Sequence, residues 1–311
     1  MVQKCIKDIK LPDFKFGQSG RERYWRDTKR KQLLALIKDA PRFYSLSNDP
    51  IANEPLTTGV YEPRIKALID FFALHGYSDF LLDIGANIGL TSYQSGALFK
   101  EIHLFEPNPN CHSILRMNLN FSLARNQYEI HEYGLGTEDK IVNLMVPKQN
   151  IAGAFIRDEE NSYSTSTLLK KDGLADFDLS NYDSTNVEIK NTKEVLSGIF
   201  SSFQEKGYCG GVIKVDVEGY ELTIIAELLS LDLRNFQVLI VFESWDEALD
   251  LTKLKSANSI EFFKLTSHKK YNNILQRLLK KISPYFAPLE TYFIEPLKDQ
   301  DLCGDLIIKV N

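Results

Sequence analysis

The strongest constraint on this chain is the run Leu81-Leu82-Asp83-Ile84-Gly85-Ala86-Asn87-Ile88-Gly89, followed by Leu104-Phe105-Glu106-Pro107. An apolar stretch ends in a carboxylate, turns on a Gly-x-Asn-x-Gly loop and continues as a helical pattern. A second apolar stretch closes on Glu106, about twenty residues beyond the first glycine. In such a strand–loop–helix–strand unit a nucleoside lies across the strand ends, and the acid takes its ribose hydroxyls.

The loop also separates ligand classes. A dinucleotide fingerprint keeps a middle glycine so that the backbone reaches a pyrophosphate. Here that position is Asn87, and Asp83 ends the strand just before the turn. A fixed carboxylate repels a pyrophosphate but attracts a ligand carrying an ammonium and a sulfonium. Gly85 and Gly89 let the backbone approach such a ligand. These residues predict S-adenosylmethionine as the ligand and methyl transfer as the chemistry. An NAD-dependent sugar dehydrogenase is disfavoured by Asn87.

From there the chain alternates regularly. Strands are expected at Phe80–Ile84, Ile102–Phe105, Tyr128–Tyr133, Val212–Val217 and Gln237–Phe242, with helices at Leu90–Phe99, Asn110–Leu123, Thr192–Gln204 and Tyr220–Leu229. Alternation of this kind predicts an α/β fold, a mostly parallel sheet with helices on both faces. Tyr292–Glu295 and Asp305–Val310 are expected to pair antiparallel at an edge, for seven main strands in all. Upstream, Arg64–Leu74 has helical spacing, and Arg21–Ile37 reads as a surface helix within an N-terminal helical extension over residues 1–56. The domain proper is expected over 57–311. Residues 147–190 break its rhythm with a hydroxyl-rich run and no sustained period, an insertion that reads either as a lid over the acceptor or as a neutral surface insertion.

A chain of 311 residues can bury a full core. Its net charge of −5 argues against a nucleic-acid partner. No apolar run is long enough to span a bilayer, and Met1–Phe16 lacks a signal-like apolar core. Cys5, Cys111, Cys209 and Cys303 are far apart, which suggests neither zinc ligation nor a disulfide framework. The expectation is a cytoplasmic protein with no stable membrane insertion, for which a homo-oligomer is open. Lys269–Ile282 has an amphipathic helical pattern best suited to packing on a sheet. His103 and His131 fall in strand patterns and read as structural.

The second signal is Gly211-Val212-Ile213-Lys214-Val215-Asp216-Val217-Glu218-Gly219. A central parallel strand is normally apolar on both faces, yet Lys214, Asp216 and Glu218 alternate along one side. Glu243 follows the next apolar run and should end nearby. Buried charges demand partners, so one reading is a Lys214–Asp216 ion pair that fixes the strand end. The other is a polar site for an acceptor hydroxyl beside the methyl group.

With Asp83–Gly89, Phe105-Glu106-Pro107-Asn108-Pro109 and Lys214-Val215-Asp216-Val217-Glu218-Gly219 in this order, the chain resembles the FkbM-like methyltransferases over roughly residues 57–245. The resemblance implies a class I methyltransferase, Rossmann-like fold. It also implies S-adenosylmethionine-dependent O-methylation, commonly of sugars or natural-product hydroxyls. Gly59-Val60-Tyr61-Glu62 is similar to a Tyr-Glu element that precedes the first strand in that family, and Gly134-Leu135-Gly136 resembles its adenine-flanking segment. Many members carry Thr-Leu-Asp where this chain has Asn191-Thr192-Lys193-Glu194, so no contact through that Asp is implied here.

The cofactor-binding candidates are therefore Glu62, Asp83, Gly85, Asn87, Gly89, Glu106, Pro107 and Leu135. Asp216 is the first choice for the base or acceptor anchor. Glu218, Glu243 and then His268 are the alternatives, and Lys214 would tune them by charge. The oxygen cluster would suit Mg2+, for which carboxylate count alone is no support. The acceptor is expected to be a small-molecule or glycan hydroxyl. A non-catalytic nucleotide-binding interaction module is the alternative outside enzymology.

Overall fold

The computed structural model describes residues 15–18, 28, 43–45, 51, 55, 60–148, 150–157, 161, 178–245, 251, 254, 258–270, 289–297 and 302–311. In chain order its elements are β1 (Lys15–Gln18), α1 (Pro63–Leu74), β2 (Phe80–Ile84), α2 (Leu90–Ser95), β3 (Glu101–Phe105), α3 (Pro109–Ser122), β4 (Tyr128–His131), β5 (Gly134–Gly136) and β6 (Lys140–Pro147). They continue with β7 (Phe155–Ile156), β8 (Tyr182–Asn191), α4 (Thr192–Glu205), β9 (Gly210–Val215), α5 (Glu221–Leu229), β10 (Gln237–Ser244), β11 (Ile260–Lys270), β12 (Leu289–Pro296) and β13 (Gly304–Val310).

β2 explains the architecture. Its five residues are all buried, which a strand achieves only with a layer on each face. Phe80, Leu82 and Ile84 enter one core with Leu196, Phe200 and Phe203 of α4 and Ile224 of α5. Leu81 enters the other with Leu68 and Phe72 of α1 and Leu115 of α3. Period-two alternation thus sorts one strand between two helical layers.

Among the described residues nine strands form one sheet in the order β1-β12-β11-β13-β10-β9-β2-β3-β4. The five from β10 to β4 run parallel, and β13 lies antiparallel between β10 and β11. The chain leaves β2 toward β3 and β4, then crosses back to β9 on the other side of β2. Strand order reverses between β2 and β9. This is the topological switch point, where open α/β sheets bind ligands at the carboxyl ends of the strands.

The parallel strands and covering helices match the sequence expectation within a few residues, but two features differ. Tyr292–Glu295 and Asp305–Val310 do not pair with each other. β11 lies between them, matching Phe263 to Ile307 of β13 on one side and to Pro296 of β12 on the other. Its 11 residues give it length to pair with β13 mainly through its first half and with β12 through its second. β1 then adds the outermost strand, so the sheet exceeds the seven strands expected.

The second difference is a separate sheet, β5-β8-β6-β7, four-stranded among the described residues, around Leu144, Val146, Val187 and Ile189. It incorporates both ends of the 147–190 segment, which looked aperiodic because Tyr182–Asn191 buries only Tyr182, Val187 and Ile189. Asn191 caps α4 by accepting from the Glu194 amide at 3.0 Å, and the Thr192 hydroxyl donates to the Gly136 carbonyl at 2.9 Å. The departure from Thr-Leu-Asp therefore serves as a helix start that ties the small sheet down. Residues 162–177, and all but Thr28 of the Arg21–Ile37 helix expectation, lie outside the described residues. So do residues 271–282 of the Lys269–Ile282 helix expectation, while Lys269 and Lys270 end β11. No helix among the described residues is long and apolar enough to cross a membrane.

Candidate functional site

A cleft opens at the switch point. Its walls bring together Glu62, Gly85, Asn87, Glu106, Pro107, Leu135, Lys214, Asp216, Glu218 and Glu243, ten of the residues singled out in sequence. Asp83 and Gly89 stand behind it. His268 lies in β11, in register with Thr291 and separated from β2 by three strands. Among the described residues, three non-glycine residues have positive φ: Glu62 at 40°, Asn87 at 51° and Glu218 at 53°. All three line this cleft. Such backbone strain persists only where the surroundings impose it, and it gathers at functional sites.

One side of the cleft is built by the two strand-end turns. Asn87 donates its amide to Glu106 Oε2 at 2.7 Å, and Asn108 donates its amide to Oε1 at 2.7 Å. The carboxylate is thereby aimed, with lone pairs left on each oxygen. Burial pushes Glu106 up to about 7, with the two amides pulling it down. Asn108 also caps α3, accepting from the Asn110 amide at 3.1 Å ahead of a proline. Its own amide nitrogen Nδ2 is buried with no hydrogen-bond partner among the described residues. A buried donor left open at the cleft wall fits a ligand that brings an acceptor there. Leu135 and Pro107 add apolar surface to this wall.

Gly85 has a role the sequence does not announce. It has φ +83°, and a Cβ there would lie 1.8 Å from the Asp216 carbonyl oxygen. The close approach it permits is to the chain's own backbone, with Asp216 donating its amide to the Ile84 carbonyl at 2.9 Å. Gly89 likewise makes room for the Leu115 side chain of α3, 2.5 Å from its notional Cβ.

The other side is a charge cluster around Lys214. Its Nζ lies 2.6 Å from Asp216 Oδ2, and in register it sits beside Asp83 of β2 and Val241 of β10. Burial opposes the ammonium, yet Asp216, Glu62 and Asp83 overcome that and hold its pKa above the ordinary lysine value. Burial pushes Glu62 up to about 8, Lys214 pulling against it while Asp216, Asp305 and Glu243 push further. Burial also raises Asp83, whose Oδ2 accepts from Ser92 Oγ at 2.6 Å and whose Oδ1 has no hydrogen-bond partner among the described residues. Asp216 is the member that reaches the cleft, its side chain 26% exposed against 7% for Lys214. Glu243 lines the wall next to it and accepts from Trp245 Nε1 at 2.7 Å.

Several contributors were not found by sequence reasoning. Glu221, buried at the start of α5, accepts from the Gly219 amide at 2.9 Å and the Val217 amide at 3.3 Å, shaping the loop that carries Glu218. Its position just after a glycine turn was a usable capping signal. Gln94 exchanges two hydrogen bonds with the Tyr61 backbone and fixes the segment that delivers Glu62. Asn161, in the insertion, donates through Nδ2 to the carbonyls of Ile156 at 2.7 Å and Glu218 at 3.0 Å. Nothing in its local sequence pointed there. Residues 150–156 of the insertion form one wall of the cleft.

In sequence, the chain matches the model of the methyltransferase FkbM domain over residues 83–278. No curated protein matches it. Similar solved structures include precorrin 8w decarboxylase from Methanobacterium thermoautotrophicum, 12% identical, with 87% of this chain and 97% of that chain covered and a TM-score of 0.39. A SAM-dependent methyltransferase from Agrobacterium tumefaciens is 8% identical, with 82% and 64% covered and a TM-score of 0.38. Precorrin-6y C5,15-methyltransferase from Geobacter metallireducens is 14% identical, with 79% and 87% covered and a TM-score of 0.34. With TM-scores under 0.5, these three likenesses add nothing to the fold described above.

Proposed function

The chain belongs to the FkbM family of S-adenosylmethionine-dependent methyltransferases, and from that premise we propose that it O-methylates a hydroxyl of a sugar, glycan or glycan-linked natural product in the cytoplasm. The observation that carries this reading is Asp216, a carboxylate fixed by Lys214 at the switch point and open to the cleft.

When bound, S-adenosylmethionine supplies a methyl group on a sulfonium, an electrophile with its leaving group already in place. Glu106 would accept hydrogen bonds from the ribose hydroxyls, Leu135 and Pro107 would flank the adenine, and Asp83, behind the Gly85 turn, would attract the cationic end by its charge. Asp216 accepts a hydrogen bond from the acceptor hydroxyl and takes its proton as that oxygen bonds to the methyl carbon. Glu218 and Glu243 accept from neighbouring hydroxyls, which favours a polyhydric acceptor over an anionic one. Alignment of two reactants supplies up to about 7–11 kcal/mol, and a positioned base about 10²–10⁴-fold in rate.

Melting the protein with S-adenosylhomocysteine, NAD and neither ligand, followed by labelled methyl transfer to a panel of sugar glycosides, tests this reading. A rise with S-adenosylhomocysteine and label on oxygen are expected. A rise with NAD alone would favour the dehydrogenase. No rise with either would favour an interaction module.

Glu106 gives a pH signature. Ribose hydroxyls donate to its charged form, so binding releases a proton when the group is protonated beforehand. With its free-state value near 7, affinity for S-adenosylhomocysteine should rise as pH increases through about 7 and then level off. Calorimetry in two buffers of different ionisation heat reads the released proton. Glu106→Gln should bind about ten- to a hundred-fold more weakly and lose the slope. A slope that persists in the variant assigns the proton to another group.

Asn161 tests the role of the insertion as the acceptor-side wall. Asn161→Ala removes the bonds to Ile156 and Glu218, so the acceptor KM should rise about tenfold while donor affinity stays unchanged. Equal weakening of donor and acceptor would make Asn161 a general support of the loop.

A further inference from the structure

A second constellation, separate from the Lys214 cluster, lies on the strands that carry Glu106. β3 and β4 turn Glu101 and His103, and Glu129 and His131, toward the face covered by α4, with His103 and Glu129 opposite each other in register. His103 Nδ1 lies 3.0 Å from His131 Nε2 and 3.7 Å from Glu129 Oε2. One ligand atom from each of the three residues falls within 4.8 Å of the others. Nitrogen and oxygen ligands at about 2.0–2.2 Å from a tetrahedral ion stand about 3.3–3.5 Å apart, close to this spacing.

The surroundings match what metal-binding histidines require. His103 Nε2 faces Glu101 Oε1 at 3.2 Å, and a carboxylate only accepts, so that nitrogen carries the proton and Nδ1 presents its lone pair to the cluster. Glu101 is itself held by Lys206 at 2.7 and 2.8 Å. A carboxylate behind a ligating imidazole is the usual orienting partner of such a ring. His131 Nδ1 lies 3.1 Å from the Tyr133 hydroxyl, with Lys190 over the Tyr133 ring at 4.4 Å. The two imidazole planes lie within 11° of each other with centroids 5.2 Å apart, and Phe105 stacks on His131 at 4.4 Å, which restrains that ring. Glu129 has its side chain 65% exposed and gives an ion a way in.

We propose that His103, His131 and Glu129 bind one divalent transition-metal ion of the zinc class, clasping the edge strand β4 to β3. Uptake requires no net loss of protons from the rings. The hydrogen on His131 Nε2 moves to Nδ1, where the Tyr133 hydroxyl oxygen accepts it, and both inward nitrogens are then lone-pair donors. The site joins the Glu106 turn through the backbone, Glu106 donating its amide to the His131 carbonyl at 3.0 Å. Its role is to stiffen the backbone that aims Glu106.

The test uses the full chain, stripped with a chelator and then titrated with Zn2+ against a chromophoric competitor, and with Co2+ for its visible spectrum. One equivalent of Zn2+ per chain and the intense d–d bands of a tetrahedral Co2+ site are expected. Glu129→Gln, at an exposed position, should leave the melting temperature of the stripped protein unchanged and weaken Zn2+ at least about tenfold. His131→Asn should remove the Co2+ bands. Failure of the wild type to take up an equivalent overturns the proposal, as does equal uptake by both variants, which would place the ion elsewhere in the chain.

Discussion

Asp216→Asn is expected to lower methyl turnover by at least about 10²-fold while leaving donor affinity near that of the wild type. The substitution keeps shape and volume but removes the charge that faces Lys214 at 2.6 Å and the basicity that takes the acceptor proton. The donor contacts assigned to Glu106, Leu135 and Pro107 are on the other side of the cleft and do not change. Single-turnover transfer with saturating donor and acceptor reads the chemical step directly. Glu218→Gln and Glu243→Gln should raise the acceptor KM more than they lower kcat, since both are assigned to binding. Near-normal turnover in Asp216→Asn, with a large loss in either of the others, would move the base to that residue. A chelator control separates a lost base from a lost metal ligand.

Lys214→Met should destabilise the protein by about 3–5 kcal/mol, the cost of removing one partner from a buried ionic cluster. Lys214 is the cation buried among Asp83, Glu62 and Asp216. Without it the buried carboxyls of Asp83 and Glu62, whose folded-state pKa values already lie above the unfolded ones, must take up protons to remain buried, and those values rise further. A group raised in this way makes its full contribution below its unfolded pKa and loses it as pH rises through the folded value. The loss in Lys214→Met should therefore be mild near pH 5 and largest near pH 8, measured by urea unfolding with m-values compared. Adding Asp83→Asn to Lys214→Met should recover part of the loss. A pH-independent loss would mean that packing of the lysine stem, rather than its charge, is what the position supplies.

The parallel strands were legible because each is an apolar run too short for a helix and bounded by turn residues, as in Phe80–Ile84. The site was legible where a carboxylate ends such a run, as at Glu106, Asp216 and Glu243. What the sequence concealed has physical causes. β8 spends most of its length on solvent-facing residues, so Asp183-Ser184-Thr185-Asn186 reads as loop although it pairs with β6. The pairing of β11 with both β12 and β13 depends on long-range register that no local pattern carries. Asn161 and Gln94 act through backbone carbonyls and amides distant in sequence, and an amide side chain carries no sign of that in a single chain. Asp83, read as a donor contact, stands one layer deeper, beside Lys214, and its burial is set by a neighbouring strand.

The Gly85 turn and the Asp216 loop touch with no side chain between them, a carbonyl oxygen filling the space of a missing Cβ. On the proposed reading, the spacing between methyl donor and acceptor is therefore set in main-chain atoms. Residues farther out, in the insertion and along the cleft rim, are free to exchange one hydroxyl-bearing partner for another without retuning the distance over which the methyl group travels. New acceptor preferences should accordingly be reachable through changes at the rim, while any residue larger than glycine at position 85 would alter transfer to every acceptor at once.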